Sequence, residues 1–135
     1  MTIRLDHTIV PAKDKVASAQ FFADIFGLTV TNDGHFEKVQ INESLTFDFA
    51  DEPEASGVAG LDQKSSRSHH YAFHVSDADF DAIFSRVKAK GIRYGSGPFS
   101  HTDGKINERR SGRGFYFEDP NGHLLEVMTV PETGS

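Results

Sequence analysis

The sequence contains no cysteine, so no disulfide framework holds it together and no thiolate can bind a metal; any metal on this chain must be held by His, Asp or Glu. It is also short of basic charge. Fourteen Lys and Arg stand against 20 Asp and Glu, a formal net charge of −6, which argues against a general nucleic-acid binder and makes a small molecule the expected partner. No stretch approaches the roughly twenty apolar residues of a membrane span, and no basic stretch followed by an apolar core opens the chain, so a cytoplasmic protein without membrane contact is expected. The 135 residues suffice for one domain with a real core, but not for two independent ones.

What the chain does have is an internal repeat. His7-Thr8-Ile9-Val10-Pro11-Ala12-Lys13-Asp14 and His70-Tyr71-Ala72-Phe73-His74-Val75-Ser76-Asp77 share one pattern: a histidine opens an apolar strand, and an aspartate seven positions later opens a helix. Each copy continues into an amphipathic helix that stops at a glycine, Gly27 or Gly91, and then into short strand-like runs. The expected organisation is a single domain over 1–135, with module one at 1–50, a linker at 51–68 where Gly, Ser, Pro and charge gather, and module two at 69–131.

Within module one, Ile3 to Val10 reads as a strand ended by Pro11. Val16, Ala19, Phe22, Ala23 and Phe26 then mark a helix face, and strands follow at Leu28–Thr31, Phe36–Ile41 and Leu45–Phe49. In module two, Ser76 and Asp79 stand where an N-cap and its partner belong, and Phe80, Ile83, Phe84 and Val87 make the helix stripe. Strands at Ile92–Tyr94, Gly114–Phe117 and His123–Val130 follow, the last two joined by the turn Asp119-Pro120-Asn121-Gly122. Both modules read β-α-β-β-β, an α+β fold. The polar segment Gly97–Arg113 is long enough to be a functional loop.

Period-two geometry groups Leu5, His7 and Ile9; His70, Ala72 and His74; Thr46 and Asp48; and Leu124, Glu126 and Met128. If these faces turn inward on a curved sheet, His7, His70 and Glu126 converge as ligands for one divalent ion, with Asp48 as a fourth donor or a catalytic base. An unpaired Glu126 on an otherwise apolar strand would be costly, which favours a partnered role. His74 is a candidate cavity residue, and Arg109, Arg110 or Arg113 a candidate partner for a substrate carboxylate or phosphonate. His35, His69 and His123 read as surface or turn residues.

Leu5-Asp6-His7, His70-Tyr71-Ala72-Phe73 and above all Gly114-Phe115-Tyr116-Phe117-Glu118-Asp119-Pro120-Asn121-Gly122-His123-Leu124-Leu125-Glu126 resemble the vicinal oxygen chelate superfamily, which includes glyoxalase I, extradiol dioxygenases, bleomycin resistance proteins and fosfomycin thiol transferases. The resemblance implies two modules forming a cup-shaped mixed sheet. It also implies His7, His70 and Glu126 as ligands of one divalent ion (Fe, Mn, Zn or Ni), and a homodimer with shared active sites. Tyr116 resembles a tyrosine that some members aim at the substrate. Asp48 lies near the position of a glyoxalase glutamate but is one methylene shorter, and Ile9 replaces a threonine of the thiol transferases. The expected function is a metal-dependent dioxygenase, lyase or isomerase acting on a small oxygen-bearing substrate. The alternatives are a metal-free antibiotic-binding protein and a thiol transferase of the fosfomycin-resistance type.

Overall fold

Asp14 and Gly27 bracket the first helix by local chemistry alone. The Asp14 carboxylate accepts from the Ala17 N–H at 3.1 Å, and Gly27 adopts the left-handed conformation (φ 71°) that closes the last turn. The computed structural model describes residues 2–52 and 68–132, in two units spanning 1–67 and 68–135. The first holds β1 (His7–Ala12), α1 (Lys15–Phe26), β2 (Val30–Asn32), β3 (Glu37–Gln40) and β4 (Thr46–Asp51). The second holds β5 (His70–His74), α2 (Asp77–Ala89), β6 (Tyr94–Gly95), β7 (Gly114–Glu118) and β8 (Leu124–Met128). Each forms a four-stranded mixed sheet, ordered β1-β4-β3-β2 and β5-β8-β7-β6, so the two β-α-β-β-β modules of an α+β fold are present.

Several boundaries differ from the sequence reading. Pro11 does not end the first strand: it is buried inside β1 opposite Ala50. Among the described residues β1 has β4 as its only neighbour, and an edge strand tolerates a residue without an N–H. Ile3 and Leu5 lie outside the strand, 87 % and 64 % exposed, because β4 begins only at Thr46, opposite His7. The strand expected at Ile92–Tyr94 shrinks to Tyr94–Gly95. The reading of 51–68 as linker loses Asp51 to β4, where its carboxylate accepts from the Lys15 N–H at 2.9 Å; residues 53–67 lie outside the described residues.

One face of each sheet is covered by its helix. In the first unit Phe22 packs on Phe47 and Phe49 (ring centroids 5.3 and 5.8 Å), with Ala19, Ala23 and Ile25 also buried; Val16, read as part of this stripe, stays exposed in the first turn. In the second, Ser76 caps α2 by accepting from the Asp79 N–H, and Phe80 meets Phe115 edge-on at 5.3 Å. Each buried Phe contributes roughly 1.5–3 kcal/mol by leaving water. Asp77 and Asp79 in the first turn of α2 and Arg86 and Lys88 in its last turn match the helix dipole. Helices on one face leave the opposite face of each sheet to carry the polar side chains.

His123 is a correction. It follows the turn as expected, but it is 2 % exposed, not a surface group. Its Nδ1 accepts from the His69 N–H at 2.9 Å, a partner 54 residues away, and its backbone N–H donates to Asp119 Oδ1 at 2.8 Å, so the ring is held in the interior.

Candidate functional site

Alternation along β5 leaves His70, Ala72 and His74 on the open face and turns Tyr71 and Phe73 inward. On β8, Leu125 and Val127 go to the core while Leu124, Glu126 and Met128 share the open face. Register then fixes the neighbours: Ala72 pairs with Glu126, and Glu126 with Tyr116 of β7. His70, Glu126 and Tyr116 are thereby brought together. His70 Nε2 lies 3.1 Å from Glu126 Oε1, and the His70 ring stacks on Tyr116 at 6.0 Å between centroids, 19° from parallel. Arg109, reaching in from the loop before β7, donates from Nη1 to the Tyr116 hydroxyl at 2.7 Å, with its guanidinium 5.5 Å from the ring centre. Burial and the Glu126 charge hold the Tyr116 hydroxyl protonated above its ordinary range, against the opposing pull of Arg109.

The donor chemistry here suits a divalent ion. Two ligands bound side by side to one first-row ion, each at about 2.0–2.2 Å, stand about 3 Å apart, which matches the His70–Glu126 spacing. Imidazole and carboxylate are also the ligand types such ions accept from a chain without cysteine. His7 occupies the matching position at the start of β1. Its Nδ1 sits 2.8 Å from Asp6 Oδ2, an arrangement that fixes an imidazole's orientation and leaves Nε2 as the free nitrogen. Asp6 was not among the candidates; the Asp-His dipeptide at a strand start was the available signal. Among the described residues no group of three or more His, Asp or Glu side chains is assembled in metal-binding geometry. Within the second unit, His70 and Glu126 are the imidazole and carboxylate that lie side by side.

The remaining candidates are distributed around the two units. His74 lies on the same strand face as His70, with Nε2 3.2 Å from the Thr129 carbonyl. Arg113 is held by α2: it bonds to Asp77 and Asp81 at 3.0 and 2.8 Å and lies over the Phe80 ring at 4.3 Å. Arg110 is exposed and, like Ser111, adopts a left-handed backbone (φ 53° and 61°), a conformation that costs roughly 1–2 kcal/mol per residue. The 97–113 segment is pinned at several points. Asn107 Nδ2 donates to the Ser96 carbonyl, Asn107 and Gly114 exchange backbone bonds, and His101 Nε2 approaches Glu118 Oε1 at 3.4 Å. Asp48 is in the first unit, on the strand matching β8, with Lys38 opposite it on β3.

The model of the glyoxalase/bleomycin resistance protein/dioxygenase superfamily matches residues 4–127. Among solved structures, the chain is similar to oxidase ChaP-H2 (44 % identity, TM-score 0.84, 99 % of this chain and 98 % of that one) and to oxidase ChaP-H1 (40 %, 0.84, 98 % and 100 %). Among curated proteins it is similar to glutathione transferase FosA of Serratia marcescens, 28 % identical over 127 residues, or 91 % of this chain and 78 % of that protein. The chain belongs to the glyoxalase/bleomycin resistance protein/dioxygenase superfamily.

Proposed function

We propose that the protein is a divalent-metal-dependent oxidase or dioxygenase for a small oxygen-bearing substrate, with His70 and Glu126 as two metal ligands and His7, its repeat counterpart, as the third. The 3.1 Å approach of His70 to Glu126 on the open face carries this reading. Two histidines and one carboxylate leave positions on an ion for a substrate's adjacent oxygens and for dioxygen, and a bound ion supplies Lewis-acid polarisation there. Tyr116 holds a hydroxyl proton beside that position, and Arg109 fixes the direction of the hydroxyl while bringing positive charge that suits an anionic substrate oxygen. The similarity to proteins described as oxidases, across nearly the whole chain, favours oxidation over isomerisation. A homodimer with shared sites belongs to the same proposal.

Elemental analysis and an oxygen electrode test it. The purified protein is expected to carry about one metal per chain, removed by a strong chelator, and to consume dioxygen with a hydroxylated aromatic only when metal is bound. Oxygen uptake unaffected by chelation would refute it. The similarity to FosA supports a second reading, thiol addition that opens the epoxide of a small phosphonate, forming a C–S bond as the C–O bond breaks and the oxygen takes up the proton, with Arg109 and Tyr116 receiving the anion. Thiol-dependent loss of fosfomycin without oxygen uptake would favour that reading.

A further inference from the structure

The second unit keeps a buried imidazole that the proposed reaction does not use. The His123 Nδ1 accepts from the His69 N–H at 2.9 Å, and since a backbone N–H can only donate, Nδ1 is the ring nitrogen without a proton. The residue it grips comes immediately before His70. Leu124 N–H donates to the His69 carbonyl at 2.8 Å, so both backbone groups of His69 are bonded to the residues that open β8. The His69 ring is held as well, with Nδ1 2.8 Å from the Tyr71 hydroxyl and its centroid 5.0 Å from that of His123. His123 is anchored in turn. Its backbone N–H donates to Oδ1 of the buried Asp119 at 2.8 Å, while the Asp119 N–H donates to the His123 carbonyl at 3.0 Å, so the turn before β8 fixes the imidazole's own backbone.

Among the described residues β5 has β8 as its only neighbour, and the end of an edge strand is where a sheet frays. His70 stands at that end. A ladder would continue through backbone carbonyls, but β8 begins only at Leu124 and is preceded by a turn, so the His123 ring supplies the acceptor instead. The first unit is built differently at the matched place. Its Thr46 N–H donates to the Asp6 carbonyl at 3.0 Å, as Leu124 does to His69, but Leu45 stands where His123 stands and its side chain has no acceptor. There the residue before the histidine acts on the ring itself, Asp6 Oδ2 lying 2.8 Å from His7 Nδ1.

We infer that His123 is a positioning residue for His70: by gripping the His69 N–H it fixes the first residue of β5 and so holds the His70 imidazole 3.1 Å from Glu126. A ligand held in place before the ion arrives loses less freedom on binding, and outer partners of metal ligands act in this way. The consequence for metal rests on the proposed function; the consequence for the His70 ring does not.

The test compares full-length, chelator-treated wild type with His123→Leu, which fills the interior without an acceptor, His123→Asn, whose Oδ1 reaches the place of Nδ1, and His123→Gln, whose acceptor reaches the place of Nε2. Nitrogen NMR of the metal-free proteins is expected to show, in wild type, a coupling across the hydrogen bond from the His69 N–H to His123 Nδ1. His123→Leu and His123→Gln move the His70 ring signals toward those of Glu126→Ala, in which the ring's partner is gone, and His123→Asn restores them. Titration with Mn(II), followed by electron paramagnetic resonance, is expected to give a dissociation constant raised about tenfold or more in His123→Leu and largely recovered in His123→Asn. His70 ring signals that stay as in wild type in His123→Leu overturn the inference. So does a dissociation constant that follows the melting temperature alone, with His123→Asn no better than His123→Leu, because the imidazole would then be structural only. If wild type takes up no Mn(II) while the His70 ring still follows the series, the metal reading fails and the positioning stands.

Discussion

The open face of the second sheet carries a linked set of side chains, Arg109 to Tyr116 to Glu126 to His70, whereas among the described residues the first sheet presents His7 tied to its neighbour Asp6, and Asp48 with Oδ1 lacking a hydrogen-bond partner. Backbone register is the same in both: His7 stands opposite Thr46 as His70 stands opposite Leu124. The repeat keeps the register while the side chains at matched positions have different partners. Glu126 has an imidazole partner supplied by the fold, whereas Asp48 Oδ1 has no hydrogen-bond partner among the described residues.

Substitutions at matched positions separate the two faces. The largest difference is expected between Glu126→Ala and Asp48→Ala: the first loses metal and lowers activity more than about 100-fold, while the second retains metal, as elemental analysis and kcat/KM would show. Metal retained by Glu126→Ala would break the distinction. Phe80→Ala and Phe22→Ala each remove a buried helix anchor and are each expected to cost about 3–5 kcal/mol in denaturant unfolding, since both rings are buried. The caps come next. Ser76→Ala and Asp14→Ala should each cost about 1 kcal/mol, equal within error if the helices are equivalent.

Alkaline stability should distinguish the units further. Tyr71 occupies the position that Thr8 holds in the first unit, and burial, with the Asp119 charge, pushes its hydroxyl up to about 12. The unfolded chain releases that proton near its ordinary value of about 10, so the folded state binds the extra proton between the two values. Its contribution is complete below about pH 10 and is lost as pH rises toward 12. Tyr71→Phe is expected to flatten that limb of a melting-temperature profile. The smallest effect belongs to Arg113→Ala, about 0–1 kcal/mol and shrinking with salt, because Asp77 and Asp81 are exposed.

What the sequence made legible was local or repeated. Asp14, Gly27 and Ser76 announce helix ends because capping needs only neighbouring residues, and the twin histidine motifs announce matched strands. Pro11 misled because edge position depends on which strands pair, and that is set by β4 thirty-five residues on. The burial of His123 depends on His69, 54 residues away, and the attachment of Arg113 to α2 on partners 32 and 36 residues back. The His70–Glu126 pair was readable because period two and the repeat fix both faces. The unmatched oxygen of Asp48 was not, since absence of a partner is a property of the packed structure.

Anomalous diffraction from a crystal grown with Mn(II) addresses the proposed metal centre most directly. The expected result is one peak within bonding distance, about 2.0–2.2 Å, of both His70 Nε2 and Glu126 Oε1, with their mutual hydrogen bond replaced by coordination. A peak elsewhere, with His70 still bonded to Glu126, would contradict it.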